Sequence, residues 1–252
     1  MSSLRVALLL VLSLAAVSAN AARQARERDQ AAIANVNLGA GYLRQGRLDL
    51  AVERLQRALK QNPKLADAHS VIAIAYDQLG MLDEAEQHYR RATQLESGNS
   101  ASANAYAVFL CRQHRWPEAE PFFQRAAANP TYATPEVAFT NAGVCARESG
   151  AADKAGDYFR SALVRNPGYP DALTNLMTMA YDSGNYLQAR AFVQRYLDSS
   201  PATAPVLLMC VNVETQLNNR DGADKCAARL RTGFQGSPEL ARLEEQQKRD
   251  GR

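Results

Sequence analysis

The sequence predicts an all-α fold, a right-handed α-solenoid of about six helix-turn-helix units. Two ladders of small residues and a recurring turn signal point to it. The first ladder is Ala51, Ala85, Ala119, Ala155, Ala189 and Ala223, at intervals of 34, 34, 36, 34 and 34 residues. The second runs seven residues behind through Ala58, Ala92, Ala126 and Ala162, and continues as Tyr196 and Leu230. The turn signal is Gly46, Gly80, Gly150 and Gly184, with His114 and Asn218 in the same slot of the third and sixth units. A methyl group lets two helices of a hairpin cross closely where a larger side chain would hold the backbones apart. A unit of this size cannot bury its apolar face alone, so such units stack.

Each unit can be read in the same register, approximately 32–65, 66–99, 100–133, 136–169, 170–203 and 204–237. The first reads Asn35, Leu38, Gly39, Tyr42, Gly46, Ala51, Leu55, Ala58 and Pro63; the second reads Ile72, Ala73, Tyr76, Gly80, Ala85, Tyr89 and Ala92. The fourth reads Ala142, Gly143, Gly150, Ala155, Phe159, Ala162 and Pro167. These offsets resemble the tetratricopeptide repeat. Pro63, Pro167 and Pro201 close units because proline cannot continue a helix. Two extra residues fall within 129–135, between Pro130 and Pro135, so a distinct loop is expected after the third unit. The sixth unit has lost its glycine and its aromatic, as terminal units of solenoids do.

Hydrophobic residues make up 46% of the chain and charged residues 22%, which suits a packed globular protein. A net charge of +3, with bases and acids interspersed, gives no argument for nucleic acid. Arg5, the twelve-residue apolar run 6–17 and Ala19-Asn20-Ala21 read as a signal peptide over 1–21, with an uncleaved anchoring helix as the alternative. Residues 22–31 then form an N-terminal extension, 32–237 the solenoid and 238–252 a charged cap or tail that begins as a helix. The mature protein is therefore expected in the periplasm, associated with a membrane only indirectly.

In an oxidising compartment the four cysteines become disulfide candidates. Cys111 and Cys145 lie on first helices of adjacent units, and Cys210 and Cys226 on the two helices of the last unit. The alternative is four buried free thiols. No catalytic constellation is present: His69, His88 and His114 follow no zinc spacing and are read as ordinary surface or turn residues. There is no phosphate loop and no nucleophile elbow, so neither cofactor nor metal is expected, nor an enzyme. Acids at helix starts, such as Asp67 and Asp171, are read as N-caps.

Function is then expected from a surface. Helical spacing projects Ile33, Val36, Ala40, Leu43 and Arg44 of the first unit into a groove, with Ile74 and Asp77 of the second and Asn104 and Val108 of the third. This floor is apolar at the solenoid entrance and is either a partner site or covered by residues 23–32 folding back.

Particular segments resemble one family. They are Asn37-Leu38-Gly39-Ala40-Gly41-Tyr42-Leu43, Ala66-Asp67-Ala68-His69, Asn104-Ala105-Tyr106-Ala107-Val108-Phe109-Leu110-Cys111, the inserted Ala128-Asn129-Pro130-Thr131-Tyr132-Ala133, Asn141-Ala142-Gly143-Val144-Cys145 and Phe234-Gln235-Gly236-Ser237-Pro238-Glu239. Over about residues 31–239 the chain resembles the type IV pilus biogenesis and stability proteins called PilF or PilW, the pilotins of the outer-membrane secretin. The resemblance implies a non-catalytic scaffold that binds the secretin and promotes its localisation or multimerisation. A generic periplasmic adaptor for envelope biogenesis is the alternative. Family members are typically lipoproteins, whereas no cysteine precedes Cys111 here, so no lipobox is found.

Overall fold

A computed structural model describes the backbone of residues 2–249, and the side chains of residue 20 and residues 22–249. The described residues form thirteen α-helices and no strand: α1 (Ser2–Arg44), α2 (Leu48–Gln61), α3 (Ala66–Gln78), α4 (Leu82–Leu95), α5 (Ser100–Arg112), α6 (Trp116–Ala128), α7 (Pro135–Glu148), α8 (Ala152–Arg165), α9 (Pro170–Asp182), α10 (Tyr186–Ser199), α11 (Ala204–Gln216), α12 (Arg220–Gly233) and α13 (Pro238–Arg249). α1 runs unbroken through the expected cleavage site, where most side chains lie outside the described residues. Residues 23–32 continue this helix and do not fold back. Among the described residues no helix is long and apolar enough to cross a membrane.

The hairpin turns follow from one backbone device. At the end of α1 the amide of Gly46 donates to Leu43 O (3.0 Å) and that of Arg47 to Tyr42 O (3.0 Å), which satisfies carbonyls the helix leaves open. The residue at the turn must take a left-handed conformation, and Gly46, Gly80, Gly150 and Gly184 do so at φ 70°, 76°, 84° and 76°. His114 and Asn218 adopt the same conformation at φ 58° and 56° in the third and sixth repeats. The ladder works as expected too: Ala51, Ala85, Ala119, Ala155 and Ala189 have no exposed surface.

The expected N-caps are not where the sequence reading put them. The residues before α3 and α9 are Leu65 and Tyr169, neither with a capping side chain, and Asp67 and Asp171 sit inside the first turn. There their charge faces the positive end of the helix dipole instead. Side-chain caps come from Asn99, Asn185 and Asn219, each accepting from the amide three residues on.

The chain divides into two compact units, Met1–Gln113 and His114–Arg252. In the N-terminal unit α1 packs on α2 and α3 on α4, while α1, α3 and α5 lie side by side. In the C-terminal unit α7 to α12 form three successive hairpins, with α7 beside α9 and α13 closing on α11 and α12. Its core is contiguous around Phe159, Leu173, Met177, Leu207 and Leu230, and α13 sends Leu243 into it. Cys210 and Cys226 are joined by a disulfide across the last hairpin, Cα atoms 6.0 Å apart, within the range such a bridge requires. None of the four cysteines is free.

Candidate partner-binding face

The candidate site lies in the N-terminal unit, on the layer made by α1, α3 and α5. Ile33 is 50% exposed on α1 because the helix continues past it. Arg44 is exposed, and Ala40, Leu43, Ile74, Asn104 and Val108 are half-buried. Val36 is only 8% exposed, so it belongs to the core and not to a groove floor. The physical reason is its register: Val36 stands four residues after buried Ala32, on the face that packs against α2 and α3.

Asp77, expected to project into the groove, is largely withdrawn from it. Its side chain is 6% exposed and ion-paired with Arg112 of α5, whose own side chain is 53% exposed. The hydroxyl of Tyr89 points at the same carboxylate from α4, 3.5 Å away. Burial, and then the Asp77 charge, pushes the Tyr89 phenol up, so it stays a neutral donor. Behind this pair lies an aromatic cluster. Tyr89 stacks on Tyr106 with ring centres 5.9 Å apart and lies 5.2 Å from Phe109. The Tyr106 hydroxyl donates to Glu86 (3.2 Å), which is also paired with Arg90 (2.8 Å). The face thus carries half-buried Leu43, Ile74 and Val108 and an exposed cation, Arg112, which is paired with a largely buried carboxylate.

Two histidines read as scattered surface residues are in fact together. His69 of α3 and His88 of α4 have Nδ1 atoms 2.8 Å apart, and His69 Nε2 lies 3.1 Å from Pro63 O. His88 is held down to about 4 by burial and by the His69 ring beside it; His69 is lowered by burial against the Pro63 hydrogen bond. The signal was present in the ladder. His88 stands three residues after Ala85 and four before Ala92, on the face that both alanines bury. His114, by contrast, is the turn residue it was taken for.

In the C-terminal unit the corresponding polar feature is structural. Glu214 of α11 is buried and gripped by Arg190 of α10, whose Nε and Nη2 donate side by side to its two carboxylate oxygens, with Asn219 Nδ2 donating at 2.7 Å. The Arg190 hydrogen bonds hold its carboxyl below the usual range. Sequence reasoning did not single this pair out.

Stacked antiparallel helix pairs with left-handed turn residues and a buried alanine ladder define a repeat scaffold whose use is binding. The chain belongs to the tetratricopeptide-repeat family: models of that repeat match residues 29–95 and residues 72–134, 110–170 and 146–204. More particularly, it is homologous to the Pseudomonas aeruginosa type IV pilus assembly protein PilF, at 28% identity over 212 residues and 84% of each chain. Among solved structures it matches PilW, described as a widely conserved type IV pilus biogenesis factor, at TM-score 0.72 and 28% identity over 85% of this chain and 99% of that one. It matches a structure of Pseudomonas aeruginosa PilF at TM-score 0.73 and 27% identity, over 87% of this chain and 99% of that one.

Proposed function

We propose that this chain is a non-catalytic assembly factor for type IV pili that works in the periplasm or at the outer membrane, where it binds the secretin and promotes its localisation or multimerisation. The observation that carries the reading is the similarity to PilF and PilW over nearly the whole length of those structures. Generic repeats share the fold without sharing that extent of sequence. The partner segment docks on the face of α1, α3 and α5, where Leu43, Ile74 and Val108 are half-buried and so accept further covering. A few such anchors supply most of the affinity, and Arg112 supplies orientation by pairing with an acidic or carbonyl group of the partner.

Deletion of the gene is the test. The reading expects loss of surface pili and of secretin multimers in the outer membrane. Both should be restored by the wild-type chain and not by Leu43→Glu, which would force a carboxylate into a desolvated contact. Normal pili and multimers in the deletion strain would overturn it.

A further inference from the structure

The last helix does not fill the place in which it stands. α13 occupies the position of the first helix of a seventh unit, yet only Leu243 of it is buried. The repeat register gives the reason. The position 34 residues before Gln247 is Val213, and the third unit has Phe109 there, both 1% exposed. A glutamine cannot take such a place without leaving its amide unpaired. A cleft therefore stays open between the second half of α13 and the hairpin of α11 and α12.

This cleft measures about 250 Å³, with a floor of Ala223, Ala227 and Leu243 and the side-chain amides of Asn212, Gln246 and Gln247 on its walls. A second cleft of about 890 Å³ continues from it, since Ala223, Asp224 and Gln247 line both. Along that continuation one face of α12 carries Arg220, Asp224 and Arg231. The fifth unit has Tyr186 and Leu197 where these arginines stand, so the charge is particular to this end. Arg231 Nη2 donates to Gln247 Oε1 at 2.7 Å, which ties one cation to the cleft wall. Arg249 also lines the cleft but is paired with Glu245. The disulfide of Cys210 with Cys226, next to Ala227, holds the α11–α12 hairpin together, so the floor is preformed.

We propose that this cleft takes a short extended segment of a partner protein, with one large apolar side chain on the floor and acidic residues against Arg220 and Arg231. The floor offers apolar surface at the place where other first helices bury Phe109 or Val213, so it receives a side chain of that kind. Each wall amide offers both a donor and an acceptor, which matches the backbone of an extended chain. Two arginines against the single acid Asp224 select a segment of negative charge. Arg220 and Arg231 are three turns apart on α12, about 16 Å, the span of roughly five extended residues. The site lies wholly within the C-terminal unit and is separate from the secretin-binding face of α1, α3 and α5.

The experiment is fluorescence polarisation of the full chain with a labelled seven-residue peptide, a central phenylalanine between glutamates, at neutral pH and low salt. Saturable binding with a Kd of ~10–100 µM is expected. A peptide with glycine in place of the phenylalanine, or with lysines in place of the glutamates, should bind at least about tenfold more weakly. The double variant Arg220→Glu with Arg231→Glu, at two exposed positions, should lose affinity to the same extent, and Arg165→Glu on α8 should not. The methyl resonances of Ala223, Ala227 and Leu243 should shift during titration, and those of Ala51 and Leu55 should not. Failure to saturate below ~1 mM, or equal binding of the lysine peptide, would overturn the site. Binding that appears only after removal of residues 250–252 would also overturn it, because the chain's own end would then be the occupant.

Discussion

The two units, each taken by itself, use one repeat plan to different ends. In the N-terminal unit polar and aromatic groups bridge the hairpins. Asn35 donates to Gln61 (3.0 Å), Gln56 to the Tyr76 hydroxyl (3.1 Å), and His69 meets His88. In the C-terminal unit one aliphatic and aromatic core runs through the hairpins, a disulfide ties the last of them, and α13 closes the end with Leu243. Among the described residues, exposed large apolar side chains follow the same division: Ile33, Leu38, Leu79, Met81 and Leu82 lie in the N-terminal unit, and Val164 and Leu187 in the C-terminal one. A repeat protein is stabilised by local and nearest-neighbour terms, so one stretch can be sealed while another keeps apolar surface available. The difference teaches that stability and recognition need not be spread evenly along the repeats.

The contrast can be broken experimentally, most strongly at the disulfide. Replacing Cys210 and Cys226 together with alanine opens a link with a sequence separation of 16 residues and should lower the stability of the C-terminal unit by about 3 kcal/mol. Trp116, packed against that unit's core, reports the loss as an earlier denaturant midpoint in its fluorescence. An unchanged midpoint would mean that the core alone holds the last hairpin.

A smaller effect separates two glycines. A Cβ on Gly143 would lie 2.6 Å from Cε1 of fully buried Phe159, whereas one on Gly41 meets nothing within 4 Å. Gly143→Ala should therefore destabilise by about 1–3 kcal/mol through overpacking. Gly41→Ala, inside α1, should instead stabilise by about 0.5–1 kcal/mol, because alanine is the better helix former. Urea unfolding of both variants checks the pair, and the same sign in both would refute the close-packing account.

Acid should act on the N-terminal unit through the histidine pair. His88 stays uncharged in the fold down to about pH 4 but takes a proton near its ordinary 6.5 once unfolded. The unfolded state then binds more protons in this window, so stability is fully present above pH 6.5 and is lost as pH falls toward about 4. Thermal unfolding across that range should show a slope that His88→Gln flattens. The carboxylates Asp83 and Glu86 and the bases Arg90 and Arg91 line one cleft with the histidine pair, so the variant is the comparison that isolates His88. The smallest expected effect is that of Asp77→Asn. Arg112 is half exposed and keeps its hydration, so breaking the pair should cost no more than about 1 kcal/mol by urea unfolding.

Much of this was legible in the sequence. The alanine ladder marks buried close crossings, and the glycine slot predicts left-handed turns even where His114 and Asn218 replace glycine. Period and residue size alone carry such information. What the sequence hid depends on the packing of one helix on another. Val36 and Ile33 are both apolar and three residues apart, yet one is buried and the other exposed, because rotation of α1 decides which meets α2. His69 and His88 are nineteen residues apart and become partners only when the α3–α4 hairpin closes. Asp67 and Asp171 look like caps by composition, but the chain enters each helix two residues earlier.

The central claim is that secretin binding belongs to the N-terminal unit, and one measurement addresses it directly. A photo-crosslinking amino acid is placed at Leu43 in one strain and at exposed Leu187 in another, and the products from irradiated cells are identified by mass spectrometry. The account predicts a secretin adduct from position 43 and none from position 187. Adducts of the secretin from position 187 alone, or no secretin from either position, would contradict it.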